Sequence, residues 1–244
     1  MNLIIDVGNT YIKLAVFANS ELLQKWRCQE EAFFTCLDEV SEAYTNIKNC
    51  MISSVGKFSE EEISALKKKF HLIILSKELQ LPFVNLYSTP KTLGVDRIAL
   101  VSAAAHQFPD KNVLVIDAGS CITYDFLNDQ NEYLGGAISP GMEMRYKAMH
   151  TFTANLPLLN AEAPENLIGN STSSSMHVGV IQGVINELEG FIERYNENFT
   201  NLTVILTGGD AHFLRDSIKN DIFANSNFLL EGLNHLLETN NDSC

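Results

Sequence analysis

Leu3-Ile4-Ile5-Asp6-Val7-Gly8-Asn9-Thr10 is an apolar run that ends in an acid, a glycine and two small polar residues. Because Ile12-Lys13-Leu14-Ala15-Val16-Phe17 resumes as a second apolar run, the pair reads as two strands with Gly8 and Asn9 at the tip of a hairpin, where φ > 0 is tolerated. Backbone N–H groups at such a tip converge on an anion, whereas Asp6 reaches a phosphate only through a cation. An amide nest beside a carboxylate therefore suits a Mg-nucleotide. Taken alone, the stretch is more commonly an ordinary hairpin with a polar tip.

The pattern recurs. Val113-Leu114-Val115-Ile116-Asp117-Ala118-Gly119-Ser120-Cys121-Ile122-Thr123 again joins an apolar strand, an acid, a small residue, glycine and a hydroxyl, and the apolar run continues to Phe126. The two acids lie 111 residues apart, at positions 6 and 117. One such hairpin arises easily by chance; two in one chain point to a duplicated unit.

A chain of 244 residues buries about 70–75% of its unfolded surface, enough for one large core or two small ones, and the duplication favours two. With 45% hydrophobic and 19% charged residues it is composed as a globular protein. No apolar run approaches the ~18 residues needed to span a bilayer, and Met1-Asn2-Leu3 enters a strand with no basic leader, so a cytoplasmic location is expected. The five cysteines (28, 36, 50, 121 and 244) show no metal-ligand spacing and are expected as reduced thiols. A net charge of −13 argues against nucleic acid. It also requires any phosphate site to rely on Mg²⁺, backbone dipoles and a few local cations.

Taken in order, Leu22 to Arg27 has strand character, and Glu30 to Tyr44 places Phe33, Phe34, Leu37, Val40 and Tyr44 at helical spacing. A strand from Cys50 to Val55 is followed by a helix capped by Ser59, with acids in its first turn and Lys67-Lys68-Lys69 at its end, then by a strand at Leu72 to Leu75. The order β-β-β-α-β-α-β describes an α/β half with three antiparallel strands and then parallel ones. The stretch Leu86-Tyr87-Ser88-Thr89-Pro90-Lys91-Thr92-Leu93-Gly94-Val95-Asp96-Arg97 leads into a helix from about 96 to 107. Asp at a helix start most often complements the dipole. Here Ile98 to Ala105 is apolar nearly all round, so the helix is expected to be buried and to bring an acid and a cation to a cleft, as a general base and an anion clamp would require.

The second half repeats the order with strands at 113–117, 121–127 and 133–138. Gly135 and Gly136 inside the last of these suggest a close backbone approach. A helix begins near Met142, and Met142, Met144 and Met149 are expected as core filler. Residues 155–175 read as a loop, hydroxyl-rich at Gly169 to Ser175. Val178, Ile181, Ile185, Leu188, Ile192 and Tyr195 share a helical face. The strand Leu202 to Thr207 stops at Gly208-Gly209-Asp210, a turn or a ligand-side junction before a helix from 211 to 217. A last helix at about 230–237 precedes a polar tail from Thr239 to Cys244 that is expected to fray.

Together these pieces resemble the type III pantothenate kinases of the acetate and sugar kinase/Hsp70/actin superfamily, over nearly the whole chain. Asp6 to Thr10 resembles the family's first phosphate motif, Gly94-Val95-Asp96-Arg97 its substrate and catalytic motif, and Asp117 to Thr123 its second phosphate motif; Gly135 to Gly141 and Thr207 to Asp210 resemble two more. The resemblance implies an α/β fold of two duplicated ribonuclease-H-like (actin-like ATPase) domains, each a mixed sheet of three antiparallel strands followed by parallel strands and helices. The division expected is 1–90 and 91–244, with helix 96–107 bridging them.

It also implies ATP-dependent phosphorylation of the primary hydroxyl of pantothenate to 4′-phosphopantothenate, the first step of coenzyme A synthesis. Asp96 is then the catalytic base. Asp6, Val7, Gly8, Asn9, Thr10, Tyr11, Ile12, Lys13 and Ser120 bind ATP. Tyr87, Gly94, Val95, Asp96, Arg97 and Thr172 bind the substrate, and Asp117 serves a monovalent cation, K⁺ or NH₄⁺, beside the Mg²⁺ of the nucleotide. The family is homodimeric, with its substrate pocket completed across the interface; the apolar Val178 to Tyr195 helix is a candidate for that contact, and its face could equally pack on its own sheet. One departure is Ser120-Cys121 where the family typically has Thr-Ala; Ser120 keeps the hydroxyl, and Cys121 is expected as a small buried apolar residue. Two other readings stand beside this one: a superfamily kinase for a sugar or another small hydroxylated substrate, and an ATP-binding regulatory protein without catalysis.

Overall fold

The computed structural model describes residues 1–8, 11–54 and 58–241. Two compact units emerge, one of residues 1–109 with 227–244 and the other of residues 110–226.

In the first unit, β1 (Asn2–Val7), β2 (Ile12–Ala18), β3 (Glu21–Cys28), β4 (Asn49–Ile52) and β5 (His71–Ile74) form a sheet in the order β3-β2-β1-β4-β5. The first three strands are antiparallel, and β4 and β5 run parallel to β1. Central β1 is covered on both faces, which explains its unbroken apolar run. Leu3 and Ile5 pack with Phe33, Leu37 and Val40 of α1 (Phe33–Ala43) and Leu66 of α2 (Glu60–Lys69). On the opposite face Asn2 donates to the Asn234 side chain of α8 (Phe228–Asn241) at 2.9 Å. Ser59 and Glu62 form the reciprocal cap that the sequence pattern predicts for α2. After a two-residue strand, β6 (Val84–Asn85), the chain enters α3 (Val95–Gln107), buried as expected from Arg97 to Ala104. Helix α3 packs on α8 so closely that a Cβ on Gly232 would lie 1.9 Å from the Ala99 carbonyl oxygen.

The second unit repeats the topology. β7 (Val113–Ala118), β8 (Cys121–Leu127), β9 (Glu132–Pro140), β10 (Thr203–Thr207) and β11 (Phe223–Ala224) lie in the order β11-β10-β7-β8-β9. The first three are antiparallel, and β10 and β11 parallel to β7. Strand for strand, β7 to β11 match β1 to β5. One face is covered by α4 (Met142–Phe152) and by a long helical run of α5 (Thr172–His177), a π-turn (Val178–Gln182) and α6 (Gly183–Asn198). The short α7 (Ala211–Leu214) completes it. Gly136 is required where it stands, because a Cβ there would meet the Tyr124 carbonyl oxygen at 1.6 Å.

Several expectations are corrected. Gly8 does not use positive φ; the positive-φ glycines among the described residues are Gly135 and Gly208. Ile181, Ile185, Leu188 and Ile192 are buried in the core of their own unit, so this face packs on its own sheet. Met144 is 42% exposed and is not core filler, and Cys121 is exposed rather than buried. The C-terminal helix runs through Asn241, past the expected start of fraying at Thr239; the rest of that tail, and Val55 at the end of the expected fourth strand, lie outside the described residues. No helix among the described residues is long and apolar enough to cross a membrane.

Candidate active site

The β1–β2 turn is built by three fixed contacts. Gly8 donates its N–H to the Tyr11 carbonyl at 3.1 Å and closes the turn. The Val7 N–H donates to Ser53 Oγ at 2.8 Å, and Ser53 Oγ in turn donates to Asp6 Oδ1 at 3.2 Å. Lys13 Nζ, opposite Asp6 in the antiparallel register, lies 3.5 Å from Asp6 Oδ2. Asp6 is thus buried yet satisfied, and a lysine that is half exposed stands next to it. Arg27 of β3 lies over the Tyr11 ring, 3.5 Å from its centroid, and adds a second cation at the turn's C-terminal side. Ile12 is buried beneath. Asn9 and Thr10, at the tip, lie outside the described residues.

Ser53 and Arg27, which touch this turn, carry no signal of their own in the sequence. The signal for Ser53 lies in the duplication. Ile52 pairs with Ile5 as Leu206 pairs with Ile116, so the next residues, Ser53 and Thr207, are equivalent hydroxyl groups at the ends of matching strands beside Asp6 and Asp117.

The β7–β8 turn is crowded by glycines from three segments. The Gly119 N–H donates to the Cys121 carbonyl, and the Gly141 N–H, at the start of α4, donates to the Ser120 carbonyl at 3.1 Å. A Cβ on Gly141 would come within 2.0 Å of the Gly119 oxygen, and one on Gly208 within 2.4 Å of Asp117 Oδ1. Gly208 holds φ +97°, a left-handed conformation that glycine adopts without strain. The Asp210 N–H donates to the Ala118 carbonyl at 2.9 Å. Burial, reinforced by the Glu143 charge, raises the Asp210 carboxyl pKa. Ser120 itself is exposed. Among the described residues no group of three or more His, Cys, Asp or Glu side chains forms a metal centre. A cation here would be held by Asp117 and main-chain carbonyls, an all-oxygen set suited to a hard ion.

At the start of α3, Gly94 is the N-cap, with no side chain of its own to cap the helix. Asp96 folds back instead. Its Oδ1 accepts the Arg97 N–H at 2.9 Å and would lie 2.4 Å from a Cβ at position 94, so glycine is what permits this carboxylate rotamer. Asp96 is exposed while neighbouring Arg97 is 4% exposed, with its guanidinium carbon 5.5 Å from the Tyr87 ring centre. Tyr87, Gly94, Val95, Asp96 and Arg97 are therefore gathered in one place. In the second unit Thr172 opens α5 behind a Ser171–Ser174 cap and lines an open hollow of about 770 Å³ with Met149, Leu156, Asn170, Ser175 and Met176.

The repeated strand order and the two acid-glycine turns define the class: this is the actin-like ATPase and sugar kinase fold. A Campylobacter jejuni chain described as a Baf family transcriptional activator superposes with a TM-score of 0.62 at 22% identity, over 98% of this chain and 99% of that one. The activator of 2-hydroxyisocaproyl-CoA dehydratase from Clostridium difficile, with bound ADPNP, superposes with a TM-score of 0.56 at 12% identity, over 99% and 94%. These likenesses establish the fold alone. The chain belongs to the type III pantothenate kinase family, whose model matches residues 2–194. The type III pantothenate kinase of Christiangramia forsetii is 52% identical over 240 residues, 98% of this chain and 99% of its own. That of Phocaeicola vulgatus is 42% identical over 241 residues, with 98% and 99% covered.

Proposed function

We propose that this chain transfers the γ-phosphoryl group of ATP to the primary hydroxyl of pantothenate, giving 4′-phosphopantothenate and ADP at the entry to coenzyme A synthesis. The observation that carries the reading, beside family membership, is the Asp96 carboxylate fixed at the start of α3 next to the buried Arg97.

Phosphoryl transfer has a loose transition state, so catalysis rests on positioning and on charge placed around the phosphate oxygens. By this reading the Asp6–Lys13 turn, with Val7, Gly8, Asn9, Thr10, Tyr11 and Ile12, binds ATP phosphates through backbone amides and Lys13, and Ser120 adds a hydroxyl. Asp96 accepts the hydroxyl proton as the new O–P bond forms and the bond to ADP breaks. The Arg97 amide bond to Oδ1 holds the carboxylate in place and leaves lone pairs on the carboxylate to take the proton. A carboxylate is an adequate base because the alcohol loses its proton late. Arg97, with Tyr87, Gly94, Val95 and Thr172, binds pantothenate, the planar guanidinium matching its carboxylate. Mg²⁺ neutralises the nucleotide's charge in a protein of net charge −13. Asp117 serves K⁺ or NH₄⁺, and the protein acts as a homodimer.

The test is an ATP-coupled assay on pantothenate in potassium and in sodium. Turnover that is faster in potassium supports both the substrate and the cation assignment. Rapid turnover of a hexose with none of pantothenate would defeat the former, and equal rates in the two salts would defeat the latter.

A further inference from the structure

Glu187 of α6, outside the groups assigned above, accepts hydrogen bonds from three side chains. Its Oε1 accepts from Tyr124 Oη of β8 at 2.8 Å and from Ser139 Oγ of β9 at 2.5 Å, and its Oε2 lies 2.5 Å from Arg145 Nη2 of α4. Burial acts to raise the Glu187 pKa, and the bonds from Ser139, Arg145 and Tyr124 outweigh it, so the carboxyl titrates below its usual range. Arg145 is shared. Its Nε donates to the Pro140 carbonyl at 2.8 Å while Nη2 reaches Glu187. A planar fork with several donors can serve two acceptors at once, whereas a lysine ammonium at the end of a flexible stem is poorly preorganised to do so.

What these bonds fasten is the β9–α4 joint. Ser139 and Pro140 are tied directly, and the next residue, Gly141, donates to the Ser120 carbonyl and packs against the Gly119 oxygen with no room even for a methyl group. A shift of the joint therefore passes to Gly119 and Ser120 without slack. We propose that Arg145 and Glu187 are a positioning pair for ATP: they hold the Pro140–Gly141 backbone and, through it, the Gly119–Ser120 turn. This rests on the reading of that turn as an ATP-phosphate turn. Misplacement of a positioned group by about an ångström costs up to ~10²-fold in rate, so small movements of the turn are measurable.

The experiment compares Arg145→Gln, Arg145→Lys and Glu187→Gln with Ser120→Ala and with Tyr133→Phe. The last removes the Tyr133–Asp125 bond, 2.7 Å, elsewhere in the same unit. For each, KM for ATP, KM for pantothenate, Tm and equilibrium binding of a fluorescent ATP analogue are measured. Arg145→Gln and Glu187→Gln are expected to raise KM for ATP about tenfold or more and to weaken analogue binding in parallel, leaving KM for pantothenate in place. Arg145→Lys is expected to recover part of the loss. Tyr133→Phe is expected to lower Tm without moving KM for ATP. Should the Arg145 and Glu187 variants lose Tm yet keep nucleotide affinity while Ser120→Ala loses it, the pair is only a staple between helices and the proposal falls by itself. Should Ser120→Ala leave nucleotide affinity unchanged, the turn assignment fails and takes the proposal with it. If Arg145→Gln does not fold, Glu187→Gln, which keeps the side chain's volume and an acceptor for Tyr124 and Ser139, decides alone.

Discussion

Asp96 occupies the first turn of α3, a position where a carboxylate is also a routine helix-dipole partner. The two roles separate on substitution. Asp96→Asn keeps the side chain's shape and its acceptor for the Arg97 amide, so the helix should stay intact while kcat falls by at least ~10²-fold with ATP binding retained. Retention of near wild-type kcat would remove Asp96 from the chemistry. A second residue-scale prediction concerns Cys121, the exposed thiol beside Ser120; Cys36 and Cys50 are buried, and Cys28 is partly so. Of these four, the cysteines among the described residues, iodoacetamide should modify Cys121 first, and saturating ATP should slow that reaction several-fold, read by mass spectrometry of the peptide. Equal labelling with and without ATP would detach this turn from the nucleotide. The Ser120–Cys121 pair was visible in the sequence, but the exposure of Cys121 was not, because a residue opening a strand shows neither face in its pattern.

Among the elements, α3 and α8 approach closely at Gly232. Gly232→Ala places a methyl group against the Ala99 carbonyl, backbone that cannot rotate away, and should cost about 1–3 kcal/mol, seen as a lower Tm by circular dichroism. The same contact stacks His106 on His235, with ring centres 4.0 Å apart. Burial first, and then the His106 charge, lower the His235 pKa from 6.5 to about 4. Since the folded state binds this proton less readily than the unfolded chain, the contribution is complete above pH 6.5. It is lost progressively as pH falls toward about 4. His235→Gln should flatten that part of the stability profile; an unchanged slope would place the acid sensitivity elsewhere. Elements with a strong local period, such as α2 with its cap and β1 with its buried run, were legible in the sequence. The π-turn at Val178–Gln182 was not, since the residues around it keep a helical pattern.

For the molecule as a whole, the homodimer proposed above needs an interface, and the Val178–Tyr195 face is already used within its own unit. Apolar side chains left in water include Phe152, Leu167 and Ile168, which are 86%, 76% and 82% exposed. Leu167 and Ile168 adjoin in sequence, and contiguous exposed apolar surface marks contact sites. Light scattering should therefore return about twice the 27.2 kDa chain mass, and Leu167→Glu with Ile168→Glu should shift it toward the monomer. A monomeric wild-type protein at micromolar concentration would end the proposal.

The opening hairpin measures how far sequence alone reaches. Leu3 to Thr10 and its repeat at Val113 showed a duplicated unit, because apolar runs and turn chemistry are encoded within a few residues of each other, and together with the other motifs along the chain they carried the resemblance that implied the class of fold. The same local logic marked Asp96 and Arg97, where an acid and a cation open an apolar helix. What only the tertiary structure decided was the company these residues keep: Ser53 under Asp6, Arg27 over Tyr11, Gly141 and Gly208 pressed on the second turn, and α8 returned to the first unit beside β1. The segments joined lie from 16 residues apart, for Arg27 and Tyr11, to more than two hundred, for α8 and β1. Such pairings are selected by how strands and helices pack once formed, and they leave no periodic trace in the chain.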